Sequence, residues 1–140
     1  MTGNIMFMTV SLLSRRIVWS DLWKNWGFAF FGNYAGTVLM AAVAYGSGFY
    51  SADPHLSYIQ SLGTGKVYAN WGVLFLKAIP CNFLVCAAIY IGIAAEDIPG
   101  KIIGMYLPVA TFAAIGFEHS VANMYFIHTA IFYGANINYG

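Results

Sequence analysis

One short stretch of this chain, Gly116-Phe117-Glu118-His119-Ser120-Val121-Ala122-Asn123, gathers the side chains best suited to chemistry. An imidazole there can take up and release a proton, because its ordinary pKa is about 6.5. Glu118 beside His119 could suggest a metal pair. Adjacent residues rarely converge on one ion, however, and no third ligand has suitable spacing, so no metal and no cofactor is expected. Hydrogen bonding of the loop is the role expected for Glu118. The remaining candidates are scattered. Lys77 sits inside an apolar run and reads as buried between subunits or snorkelling. His55 reads as a solvated loop residue. For His128, in the last apolar stretch, packing or a hydrogen bond to a segment outside the chain fits better than metal binding. Cys81 and Cys86 lie five apart in an apolar run, on different faces of a helix, which argues against a disulfide between them and for small packing residues.

The elements that must position these residues belong to a membrane. Of 140 residues, 60% are hydrophobic and only 8% are charged. A soluble domain carries about 25% charged residues to cover its wet surface, and a chain this short has no core large enough to hide the excess. The apolar surface must therefore face lipid or other subunits. A net charge of +1 gives no basic face for nucleic acid. No cleavable signal peptide is visible at the start. Sparsely charged apolar runs mark spans at residues 24–48 and 67–95, the second with Lys77 and Pro80 inside it, since about 20 residues cross a hydrocarbon core. Residues 101–116 and 122–135 are each short, and together they read as one discontinuous segment interrupted at 117–121. Residues 2–14 form a further half-length piece. Basic residues in the loops at 14–24 and 96–101 place those loops inside and the connection at 47–66 outside. Gly32-x-x-x-Gly36 in the first full span suits close packing of helices in lipid.

A polar break within a membrane segment leaves backbone groups without water, so it is tolerated only inside protein or along a cavity. Glu118, His119, Ser120 and Asn123 occupy such a break, and ionisable residues there are functional candidates by default. Thr2-Gly3-Asn4-Ile5-Met6-Phe7 echoes Val121-Ala122-Asn123-Met124-Tyr125-Phe126. Two matching half-helix starts are what an inverted-repeat transport fold produces. Each start presents unpaired N–H groups with a partial positive charge of roughly half a unit. Two of them facing each other would attract an anion without the permanent charge that would trap it. The expected fold is therefore all-α and membrane-integral: an aquaporin-like, inverted-repeat helical bundle with two broken transmembrane helices.

The stretch Gly116–Met124 closely resembles the signature of the formate/nitrite transporter family, which also includes hydrosulfide and lactate channels. Thr2-Gly3-Asn4, Lys24-Asn25-Trp26, Phe31-Gly32-Asn33, Cys81-Asn82-Phe83-Leu84-Val85-Cys86 and Leu107-Pro108-Val109 agree in order. The resemblance implies a multi-pass protein of the cell membrane, of the bacterial cytoplasmic-membrane type, and a homopentamer with one pore per protomer. It implies six membrane segments per protomer, the second and fifth broken. This chain would begin in the break of the second and stop at the end of the fifth. His119 matches the family's pore histidine, and Thr2 the hydroxyl that can bond it. Asn82 and Val85 match pore-facing positions, Phe112 the outer constriction, and Lys66 the vestibule lysine that attracts anions. Met1 stands where a bulky residue of the inner constriction is usual. The implied partners are small monovalent anions (formate, nitrite or hydrosulfide), lipid and further copies of the chain. A proton passed from or through His119 would neutralise the anion at the constriction, and a neutral His119 would give plain channel behaviour instead.

Two other classes compete. A membrane redox subunit would use paired histidines as haem ligands, and His119 and His128 are not obviously paired. An aquaglyceroporin-type channel for neutral solutes also joins half-helices at asparagines. It would show two Asn-Pro-Ala repeats, which Thr2-Gly3-Asn4 and Val121-Ala122-Asn123 do not reproduce.

Overall fold

The computed structural model describes residues 3–138, so Met1 and Thr2 fall outside the described residues. Among the described residues there are six α-helices and no strand: α1 (Asn4–Leu13), α2 (Trp19–Gly46), α3 (His55–Val67), α4 (Trp71–Ala94), α5 (Ile98–Ile115) and α6 (Ser120–Phe132). Three of them, α2, α4 and α5, are long and apolar enough to cross a membrane. At ~1.5 Å per residue the shortest, α5, is about 27 Å long. Large apolar side chains such as Phe28, Phe31, Phe83 and Tyr106 lie exposed along these helices, as lipid-facing or subunit-facing surfaces require.

Local signals set the helix ends. Asp21 accepts a hydrogen bond from the Val18 backbone N–H at 3.2 Å, the reciprocal half of a capping box at the start of α2. Asp97 caps α5 by accepting from the Gly100 N–H at 2.6 Å, and Pro99 sits in the first turn, where its missing N–H costs nothing. Gly116 ends α5 in the left-handed region at φ 76°. The Gly116 N–H bonds the Ala113 carbonyl and the Phe117 N–H bonds the Phe112 carbonyl, the two bonds of a Schellman stop. Phe117, Glu118 and His119 then leave the helix before α6 begins. Pro80 and Pro108 lie inside α4 and α5, and each removes one rung of the ladder.

The chain divides into two compact units. One comprises residues 1–29 and 72–119, the other residues 30–71 and 120–140. In the first, α4 and α5 approach through glycine notches. A Cβ on Gly104 would stand 2.4 Å from Ile91 Cγ2, and one on Gly92 would stand 2.8 Å from the Met105 side chain. The buried residues Cys81, Val85 and Ala88 share one face of α4.

In the second unit α3 packs on α6. A helix thus fills most of the stretch expected as an outer connection. Ile59 and Gly63 of α3 and Thr129 and Ala130 of α6 are buried, and a Cβ on Gly63 would come within 2.2 Å of Ala130 Cβ. Tyr133 ties three segments together. Its hydroxyl donates to the Ala44 carbonyl at 2.9 Å and accepts from the Tyr50 N–H at 3.2 Å, while its carbonyl accepts from Gln60 at 2.7 Å. Burial and a hydrogen bond with Tyr125 push the Tyr50 phenol up to about 12, so it stays neutral.

Candidate functional site

The first unit contains a cavity of about 280 Å³. Its wall follows from helical spacing. Val85, Ala88 and Ile89 come from one face of α4, and Met105, Val109 and Phe112 recur at helical intervals on α5. Gly3 and His119 complete the lining. Among these residues His119 is the one that can ionise. Its ring lies almost parallel to that of Phe112, within 10°, with centroids 5.6 Å apart. The Schellman stop at Gly116 brings this about: the chain leaves α5 after Ile115, and four residues later His119 stacks back on Phe112 of that helix's last turn.

Gly3 matters for a separate reason. It is buried, and a Cβ there would fall 1.7 Å from Ile89 Cδ1. It is also the N-cap of α1, with no side-chain cap bond. The uncapped start of a half-length helix therefore stands at the cavity wall, where its backbone N–H groups carry partial positive charge. Elsewhere the wall is hydrocarbon and the Met105 thioether. A bare anion entering such a space would lose its hydration with little in return, except at the imidazole and the helix start.

The structure distributes the expected site residues unevenly. His119, Phe112 and Val85 line one cavity. Asn82, three residues before Val85, is exposed and outside that wall. Glu118 is only 8% exposed and lies within electrostatic reach of Cys81 on α4. Lys66 sits in the last turn of α3, a favourable end for a cation, and Asn123 lies in α6. Both belong to the second unit. Thr2 lies outside the described residues. Gly3, Ala88, Ile89, Met105 and Val109 were missed from sequence, although the 105–109–112 spacing could have pointed to the α5 residues.

Other ionisable groups have settled places. His128 Nδ1 is 2.6 Å from the Met124 carbonyl, and its Nε2 is 3.1 Å from the Tyr34 hydroxyl. A carbonyl only accepts, so Nδ1 carries a proton, and Nε2 pairs with the Tyr34 hydroxyl. The partner expected outside the chain is thus found on α2. Lys77 is exposed on α4, and His55 begins α3, stacked near Phe49. Cys81 and Cys86 are free thiols. Among the described residues no group of three or more His, Cys, Asp or Glu could hold a metal.

Comparison with known proteins agrees with this picture. The family model described as formate/nitrite transporter matches residues 1–140. A probable formate transporter of Methanothermobacter thermautotrophicus is 40% identical over 148 residues, covering 95% of this chain and 54% of that protein. An uncharacterized transporter of Bacillus subtilis, YrhG, is 39% identical over 136 residues, covering 96% of this chain and 51% of that protein. The formate channel BtFdhC of Bacillus thuringiensis is 33% identical over 133 residues, covering 95% and 51%. The chain spans about half the length of these relatives.

Proposed function

The chain belongs to the formate/nitrite transporter family, a family of membrane transporters and channels rather than enzymes, and from that premise we propose that it builds the conducting centre of a pore for small monovalent anions. Formate, nitrite and hydrosulfide are the candidate substrates. The observation that carries the reading is the apolar cavity with His119 stacked on Phe112. Its volume leaves ample room for a species of a few heavy atoms, and its wall is hostile to a naked charge.

In this reading the start of α1, and Lys66 by its charge, draw the anion inward. At the cavity the anion meets hydrocarbon on most sides and His119 on one. All the candidate substrates are conjugate bases of weak acids. A proton delivered from or through the imidazole turns the anion into a neutral acid that can cross, and His119 recovers the proton beyond the barrier or from water. Phe112 and Val85 narrow the path, and Asn82, Asn123 and Thr2 are assigned to its polar margins. Glu118 supports the loop that carries His119. The repeated half-helix starts support an aquaporin-like, inverted-repeat arrangement. Exposed apolar faces on α2, α4 and α5 are in keeping with a homopentamer in a cell membrane, each protomer with its own pore.

Formate uptake into liposomes at pH 5.5 and 7.5, with glycerol as the neutral control, tests the proposal. The protein should pass formate faster than glycerol, and faster at the lower pH. His119→Asn should cut formate flux and flatten the pH response. Undiminished flux with an unchanged pH response would remove His119 from the mechanism.

A further inference from the structure

Asn25, exposed near the start of α2, is no part of the cavity wall. Its side-chain oxygen accepts a hydrogen bond from the Asn4 side-chain amide. Asn4 is the first residue of α1, and Gly3, the residue before it, lines the His119 cavity. Two contacts thus locate the start of α1. On one side Gly3 presses against Ile89 of α4, so closely that no side chain fits. On the other, Asn25 of α2 holds Asn4.

We propose that Asn25 is a positioning residue for the pore: through Asn4 it fixes the first turn of α1, and so sets where that helix start meets the permeating anion opposite His119. α1 has 10 residues and a Gly N-cap without a side-chain bond. Helices this short are marginal alone and take their stability from what they pack against. An apolar half-helix has few ways to resist sliding along its axis, because hydrocarbon packing in lipid is non-directional. A side-chain hydrogen bond is directional and blocks that slide. The bond is made by the Asn4 side chain and uses none of the backbone N–H groups of the first turn. Asn25 acts without touching the anion.

The inference rests on the pore assignment above, and a mutant cycle separates the two. Wild type, Asn4→Ala, Asn25→Ala and the double variant are compared for formate flux in liposomes, with assembly checked by size and thermal unfolding. Loss of one net hydrogen bond predicts that each single variant loses about fivefold, and the double variant no more than the worse single one. Asn25→Asp keeps the acceptor and should restore most of the flux lost in Asn25→Ala. If Asn25→Ala fails to assemble, Asn25→Ser, which is too short to reach, replaces it in the comparison with Asn25→Asp. Single losses that multiply in the double variant, or equal flux in Asn25→Ser and Asn25→Asp, would overturn the positioning role. A wild-type protein that passes no formate would instead overturn the pore assignment.

Discussion

Gly63 and Gly65 stand two residues apart on α3 and should respond oppositely to the same substitution. A Cβ at Gly63 would lie 2.2 Å from Ala130 Cβ and 3.3 Å from the Phe126 carbonyl oxygen, whereas one at Gly65 would meet nothing within 4 Å. Ordinary contact begins at 3.4 Å, so Gly63→Ala forces α3 and α6 apart by at least 1.2 Å (3.4 less 2.2). Neither obstacle is a flexible side-chain tip, so relief must come from the helices themselves. Overpacking of this kind costs about 1–3 kcal/mol, and a shift this large belongs at the upper end. Against it stands a helix-propensity gain of about 1 kcal/mol for alanine over glycine. The net loss is about 2 kcal/mol, or roughly thirtyfold in the opening equilibrium. Gly65→Ala keeps the propensity gain alone, up to about 1 kcal/mol in the stabilising direction. Hydrogen exchange of the peptide containing Thr129 and Ala130, in the assembled protein, reads both. Protection in Gly63→Ala equal to or above wild type would refute the α3–α6 contact described here.

Tyr133→Phe removes the donor to the Ala44 carbonyl and the acceptor for the Tyr50 N–H. Two backbone groups then lose their partner, and a loss of about 1–3 kcal/mol is expected in thermal or denaturant unfolding. Asp53 accepts from both the backbone N–H and the hydroxyl of Ser57, and these bonds hold its carboxyl below the ordinary value of 3.8. A depressed carboxylate contributes stability above its unfolded pKa and loses it as pH falls through the lower folded one. Exchange protection at the start of α3 should therefore be constant above pH 5 and fall below about pH 4, and Asp53→Asn should abolish that dependence.

Hydropathy made α2 and α4 legible because apolar stretches of that length have few other uses. The residues of α5 read instead as one short half of a discontinuous segment, and the helix proves long enough to cross a membrane. Hydropathy was blind to α3. Ser57, Gln60, Ser61, Thr64 and Lys66 make that helix too polar to read as a span, and Gly63 and Gly65 lower its intrinsic propensity. What holds α3 is a notch that only the fold supplies, the fit of Gly63 against Ala130. At the site, the polar break pointed to His119 because charge and amide groups are conspicuous against hydrocarbon. The wall around it was harder to see. Ala88, Ile89, Met105 and Val109 differ in no chemical respect from the apolar residues beside them that face outward. The resemblance named Asn82 and Val85 together; Val85, Ala88 and Ile89 line the cavity and Asn82 does not. The glycine at position 3 entered the Thr2-Gly3-Asn4 pattern only as a small residue; what that pattern does not give is its closeness to Ile89.

Gly116 shows how misleading empty space can be as a guide to tolerance. Nothing lies within 4 Å of where its Cβ would be, so a survey of crowding would rank it among the freest positions in the chain. Handedness decides otherwise. At φ 76° an L-residue pays about 1–2 kcal/mol against the backbone it is built on, or it unwinds the turn. If the turn unwinds, α5 runs on and the next residues take helical directions, carrying His119 away from Phe112. A variant at Gly116 would then meet no clash at its own side chain and still lose the stacking of His119 on Phe112. The asymmetry of the α-carbon, rather than any neighbour, is what reserves this position for glycine.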